Sequence, residues 1–235
     1  MKKDQHGALR RQIIATCLRM TELGINHGTS GNVSARVPEG LLITPSGMPY
    51  DRIEPEDIVL LDEQGRYEGR RLPSTEWRFH YDIMRYRPDV NAIVHNHAMH
   101  CTVLACLRME IPAFHYMVAV AGGDTIRVAP YARFGTQALS DHALEALDGR
   151  KACLLANHGM IAVGADLEKA LNLALEVENL ASCYWRCLQV TRPAILTSGQ
   201  IDEVLERIAT YGKQPEELEP GQLPAFEAPL RRSPA

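Results

Sequence analysis

The 235-residue chain is defined first by what it lacks. No apolar run reaches the roughly 18 residues that span a membrane. The opening residues, Met1-Lys2-Lys3-Asp4-Gln5-His6-Gly7, hold no apolar stretch of the kind that directs export. A cytoplasmic protein without a membrane partner is therefore expected. There is no basic stripe, and the net charge is −4, so nucleic acid is not the expected partner. No cysteine stands in a Cys-x-x-Cys pair. The six that occur, Cys17, Cys101, Cys106, Cys153, Cys183 and Cys187, read as reduced core residues. No internal repeat is visible. What remains is ordinary globular composition, 46% hydrophobic and 23% charged, enough to bury a sizeable core.

Periodicity gives an alternating order of elements. A helix is predicted from about Asp4 to Leu23, with Leu9, Ile13, Cys17 and Met20 at helical spacing. Val33–Val37 and Leu41–Thr44 read as a hairpin, and Ile58–Leu61 as a further strand. Ser74 is placed to cap a helix that runs to about Arg85. Ala92–His97 reads as a buried strand and Ala98–Leu107 as the helix after it. Cys153–Asn157 and Met160–Val163 read as paired strands, Asp166 as the cap of a long helix to about Val190, and Gln200–Tyr211 as a last helix. This interleaving predicts a single α/β domain with a central, mostly antiparallel or mixed sheet flanked by helices, over residues 1–212. Residues 213–235 carry prolines at 215, 220, 224, 229 and 234, and read as an irregular tail.

Two constellations carry chemistry. His95 and His97 close an apolar strand, where residues two apart share a face, so both imidazoles can reach one ion. His158 ends another apolar strand, followed by Gly159. Glu76 opens a helix. Three imidazoles and a carboxylate suit zinc. The bland alternative, a pair of hydrogen-bonded structural histidines, is left open by spacing alone. His6, His27, His80, His100, His115 and His142 read as structural or surface residues. The second constellation is a set of small polar loops: Gly28-Thr29-Ser30-Gly31-Asn32, Thr44-Pro45-Ser46-Gly47 and Ser74-Thr75. Their hydroxyls and backbone N–H groups can seat a phosphate, most strongly at a helix N-terminus. Each loop alone is also ordinary turn chemistry.

Taken in order, these loops with Ser74-Thr75-Glu76, His95-Asn96-His97-Ala98 and Asn157-His158-Gly159 resemble the class II aldolase/adducin family over about residues 7–212. The resemblance implies an α/β subunit and a homotetramer with active sites at subunit interfaces. It implies one Zn2+ per subunit, held by His95, His97, His158 and, at rest, Glu76. It further implies a phosphate pocket of Thr29, Asn32, Ser46, Gly47, Ser74 and Thr75, with Tyr116 and Tyr211 supplied by a neighbouring subunit. The implied substrate is a small phosphorylated sugar, L-fuculose 1-phosphate or a 5-deoxyribulose or 5-methylthioribulose 1-phosphate. It would be cleaved reversibly to dihydroxyacetone phosphate and an aldehyde, with Glu76 as base and Tyr116 as proton carrier at the aldehyde oxygen. A 4-epimerase, a methylthioribulose-1-phosphate dehydratase and a non-catalytic adducin-like module share the scaffold. Glu76, where the epimerases usually carry Asp, favours the aldolase. Ile208 stands where an aromatic residue lines the aldehyde side.

Overall fold

A computed structural model describes residues 6–208 and 210–222. One nine-stranded sheet organises it. The strands are β1 Asn32–Val37, β2 Gly40–Ile43, β3 Val59–Asp62, β4 Tyr67–Glu68, β5 Ala92–Asn96, β6 Ile111–Pro112, β7 Thr125–Ala129, β8 Ala152–Leu155 and β9 Gly159–Gly164. Their order across the sheet is β4-β3-β2-β1-β5-β9-β8-β7-β6. Every neighbouring pair is antiparallel except β7 and β8. The sheet is therefore mixed and mostly antiparallel.

Alternation along the strands sorts side chains onto two buried faces. On one face Val33, Ala35, Leu42, Ala92, Val94, Leu154, Met160 and Ala162 pack against α1 Gly7–Glu22, α3 Met99–Leu107 and α5 Leu167–Val190. On the other, Leu41, Ile43, Val59, Leu61, Ile93, Cys153 and Ile161 pack against α2 Trp77–Tyr86 and α4 Gln137–Ala146. The last helix, α6 Ser198–Ile208, has its own small cluster: Ile201 meets Ala113 and Ala119 at the 3-10 helix Tyr116–Ala121. No helix among the described residues is long and apolar enough to cross a membrane.

Local signals explain most boundaries. Asp166 accepts a hydrogen bond from the Lys169 N–H at 2.7 Å and caps α5, as its side chain predicts. Ser74 does not cap α2. Its carbonyl closes a turn with the Trp77 N–H at 3.0 Å, so the helix starts at Trp77 with Glu76 as its N-cap. β5 stops at Asn96, whose Oδ1 accepts the Ala98 N–H at 3.1 Å and turns the chain, so His97 lies just past the strand. α6 ends at Ile208 and leaves Tyr211 in the turn that follows.

Strands β4, β6 and β7 and helix α4 are additions to the predicted elements. Helix α4 carried a readable sign, a Thr136 side chain that accepts the Leu139 N–H. Its buried stripe of Leu139, Ser140, Ala143 and Ala146 is too weakly apolar to announce a core helix. The cysteine expectation holds for Cys17, Cys101 and Cys153, which are buried and free. Cys106 and Cys183 are exposed and Cys187 is half-buried, because they lie off the buried stripes of their helices. In the predicted tail, Pro215–Glu217 forms a single 3-10 turn, and the stretch beyond residue 222 lies outside the described residues.

Candidate metal centre and anion seat

Three neighbouring elements converge at one end of the sheet. β1 and β5 run antiparallel with Asn32 opposite His95, and β5 and β9 with His95 opposite Ile161. His95 shares its face with Ile93 and points toward α2, where Phe79 meets its ring edge-on at 5.4 Å. His97 follows two residues on. His158 sits in the turn between β8 and β9, where Asn157 adopts a left-handed φ of 56°. Asn tolerates that region better than most residues. The turn is tied to the C-terminal end of α3 by the Asn157 N–H, which donates to the Ala105 carbonyl at 3.0 Å. α3 itself starts just after His97, so one helix braces the loops that carry two of the histidines.

Two glycines permit this approach. A Cβ on Gly159 would lie 2.4 Å from the Asn96 carbonyl oxygen and 2.8 Å from His97 Cδ2. A Cβ on Gly31 would lie 2.8 Å from the His95 carbonyl oxygen. Both loops can therefore press against the end of β5 only without a side chain at these positions.

The three imidazoles face one another with ring centroids 4.9–5.1 Å apart. One nitrogen from each lies within 4.8 Å of the others. Glu76 completes the group: its Oε2 is 3.1 Å from His95 Nε2 and its Oε1 is 3.1 Å from His158 Nε2. Yet the buried atoms His95 Nε2, His97 Nε2 and Glu76 Oε1 have no hydrogen-bond partner. Orphaned buried donors and acceptors are costly and rare. A shared cation is the economical explanation, and the donor set, three imidazole nitrogens and a carboxylate, fits zinc. His95 is oriented for this role, because its Nδ1 meets the Met160 carbonyl at 2.9 Å and leaves Nε2 to face the cluster. Electrostatics agree. Burial would push the Glu76 carboxyl up, but His95 and His158 hold it well below the usual carboxylate range, so it is ionised. Burial and the neighbouring imidazoles push His97 down to about 4, so it is a neutral ligand-type imidazole at neutral pH.

The polar loops gather beside this group. Ser46 N–H donates to the Leu72 carbonyl and Ser74 N–H to the Thr44 carbonyl, which joins the loop Thr44–Gly47 to Ser74-Thr75. Ser74 is buried, and its Oγ accepts the Glu76 N–H at 3.2 Å. Thr29, Ser46, Gly47 and Thr75 are exposed. Asn32 is buried and already engaged: its Nδ2 donates to Glu76 Oε2 at 2.9 Å, and its Oδ1 meets His80 Nε2 at 2.5 Å. One Nδ2 hydrogen remains for another acceptor. Behind it, His80 Nδ1 meets Ser34 Oγ at 2.7 Å. No sequence signal marked Ser34 or tied His80 to Glu76; the pairing arises only when β1 and α2 pack.

Tyr116 and Tyr211 are not gathered into this group. They are 49% and 71% exposed. Tyr116 follows β6, the edge strand, four strand spacings or about 19 Å from β5. Its segment packs on α6, so both tyrosines are borne by one surface module.

Comparison with known proteins accords with this geometry. The family model described as "Class II Aldolase and Adducin N-terminal domain" matches residues 11–185. The chain belongs to the class II aldolase and adducin family. It is 57% identical over 205 residues to a 5-methylthioribulose-1-phosphate/5-deoxyribulose-1-phosphate aldolase of Rhodospirillum rubrum, covering 87% of this chain and 93% of the relative. It is 53% identical over 214 residues to the L-fuculose phosphate aldolase of Escherichia coli K12, covering 91% of this chain and 100% of that one. Among solved structures, an L-fuculose 1-phosphate aldolase superposes with a TM-score of 0.83 at 39% identity, covering 85% of this chain and 95% of the other. With the family comes the enzyme class: an aldolase, a carbon–carbon lyase. The mixed sheet flanked by helices is the architecture of those structural neighbours.

Proposed function

We propose that this aldolase is zinc-dependent and reversibly splits L-fuculose 1-phosphate, or 5-deoxyribulose or 5-methylthioribulose 1-phosphate, into dihydroxyacetone phosphate and an aldehyde. The observation that carries the reading is the convergence of Glu76 with His95, His97 and His158, in which the buried Nε2 atoms of His95 and His97 lack hydrogen-bond partners. The names of the relatives support the substrate class, since they differ only in the aldehyde half. The hard step is to hold negative charge on a carbon beside a carbonyl. A zinc ion held by His95, His97, His158 and Glu76 would supply Lewis-acid stabilisation of that charge.

The chain's own groups do the rest. Glu76 is ionised and held by Asn32 at Oε2, placed to take the proton from the dihydroxyacetone phosphate carbon in the condensation direction. Thr29, Asn32, Ser46, Gly47, Ser74 and Thr75 seat the phosphate beside the N-terminus of α2, where the helix dipole favours an anion. A clamped phosphate fixes the reacting carbons beside Glu76. Tyr116 of a neighbouring copy donates a proton to the aldehyde oxygen in condensation and takes it from the C4 hydroxyl in cleavage. Tyr211 of that copy lines the aldehyde side. The exposure of both tyrosines on one module leaves them available to a neighbouring subunit, in keeping with the homotetramer that the family resemblance implies. The catalytic unit spans residues 1–212, with 213–235 as an appended tail, and the enzyme works in the cytoplasm.

The test is direct. Zinc-loaded protein is incubated with L-fuculose 1-phosphate and, in parallel, with 5-deoxyribulose 1-phosphate, and released dihydroxyacetone phosphate is coupled to a reductase. Release that stops on chelation and returns with zinc supports the reading. No release from either substrate with zinc bound overturns it in favour of an epimerase or dehydratase.

A further inference from the structure

Behind Glu76 a buried chain of hydrogen bonds runs through Asn32 to His80 and Ser34, two residues with no part in the proposed reaction. Asn32 and Ser34 stand two apart on β1 and face α2. His80 stands on α2, one turn after Glu76, fully buried and stacked on Phe79 at 4.6 Å. Chemistry fixes the direction of each bond. Asn32 Nδ2 faces the carboxylate of Glu76, so Oδ1 faces His80. Oδ1 has no hydrogen, so His80 Nε2 must donate. A neutral imidazole carries one N–H, so Nδ1 must accept from the Ser34 hydroxyl. Burial, with His95 nearby, pushes the His80 pKa down to about 3, which keeps the ring neutral.

We infer that His80, with Ser34 behind it, is a positioning residue that locks the Asn32 amide with its donor toward Glu76 and so fixes the carboxylate in place. The alternative orientation of the amide would set Oδ1 against Glu76 Oε2, two acceptors in a site shielded from water. That arrangement leaves a buried carboxylate oxygen without its donor, which costs more than an exposed one would. Burial requires a partner at each ring nitrogen of His80; what singles this histidine out is that its Nε2 partner is the amide that holds Glu76. The inference rests on Glu76 as the base.

The experiment compares His80→Leu, which keeps bulk but loses the donor, with His80→Gln, which keeps an N–H near the Nε2 position. The full-length, zinc-loaded enzyme is assayed for kcat, KM and zinc content. His80→Leu should lower kcat roughly 10- to 100-fold, the scale of a hydrogen bond to a charged group, with KM little changed. His80→Gln should restore most of the loss. In an Asn32→Ala background, His80→Leu should add nothing further, because it acts through that amide. Independently of activity, long-range 1H–15N spectra of the metal-free protein should show His80 as the Nε2–H tautomer. Where His80→Leu fails to fold, Ser34→Ala is the second variant, and loss of that tautomer with a fall in kcat supports the inference. Wild-type kcat in His80→Leu, or an Nδ1–H tautomer in the wild type, would overturn it while Glu76→Gln remained inactive. A fully active Glu76→Gln would overturn the role of Glu76 itself and the inference with it.

Discussion

Replacing Gly159 by alanine strikes the candidate metal centre without touching any of the four residues proposed to hold the ion. The added Cβ would sit 2.4 Å from the Asn96 carbonyl oxygen, which falls 1.0 Å short of the 3.4 Å at which ordinary van der Waals contact begins. It would also sit 2.8 Å from His97 Cδ2, short by 0.6 Å. The first neighbour is backbone at the end of β5, where Asn96 pairs with Met160, so it cannot swing aside as a flexible side chain could. Either β9 retreats and carries His158 with it, or His97 is pushed from its place. Displacing a reacting or coordinating group by about 1 Å costs about 100-fold in rate. Loss of a group that orients a ligand costs about 10- to 100-fold in metal affinity. Overpacking adds about 1–3 kcal/mol of destabilisation. The assay is zinc competition against a chromogenic chelator, paired with the cleavage rate and a thermal melt. Gly199→Ala serves as control: it lies in α6 with nothing within 4 Å of the new Cβ, so zinc affinity and rate should match the wild type. A Gly159→Ala enzyme with wild-type zinc affinity and rate would refute the claim that β9 presses on His97.

Other outcomes follow from the same geometry. Ser74→Ala should raise KM for the phosphorylated substrate about tenfold, since its hydroxyl can accept the Glu76 N–H and still donate to a phosphate oxygen; an unchanged KM removes it from the anion seat. His97→Ala should abolish stoichiometric zinc, measured by elemental analysis after dialysis. Asp57 tests the pH response away from the site. It is 1% exposed, and although burial pushes its carboxyl up, Arg70, Arg71 and the Glu54 N–H hold it down at about 2 against an ordinary 3.8. A depressed carboxylate contributes stability above its unfolded pKa and loses it as pH falls through the folded value. Asp57→Asn should therefore cost about 1–2 kcal/mol at neutral pH, less than the full shift implies because the arginines are half-exposed. The two denaturation curves should converge as pH drops from 3.8 toward 2.

Part of the candidate metal centre was legible because two of its residues are neighbours in sequence. His95 and His97 are two apart at a strand end, and His158 precedes a glycine that a tight approach requires. The α/β class was legible from the alternating order of the longer apolar elements. What stayed hidden depends on packing. β6 and β4 are two residues each and exist only by pairing with a neighbour. The Ser34–His80–Asn32–Glu76 chain joins residues 32 and 34 of one strand to 76 and 80 of one helix, a juxtaposition with no trace in sequence spacing. His80 read as structural, and its burial agrees, but its partners place it behind Glu76, the proposed base. Ser74 illustrates the opposite error: a good capping residue by type was drawn into a turn, and the helix began three residues later.

The central claim is that Glu76, beside a zinc ion held by His95, His97 and His158, removes a proton from carbon next to the carbonyl of dihydroxyacetone phosphate. Its most direct measurement needs no aldehyde. Dihydroxyacetone phosphate in deuterated water is incubated with zinc-loaded wild-type enzyme and with Glu76→Gln, each checked for bound zinc, and exchange at the hydroxymethyl carbon is followed by NMR. The account predicts rapid, stereospecific exchange with the wild type and none above background with Glu76→Gln. Undiminished exchange in the zinc-loaded variant would contradict it.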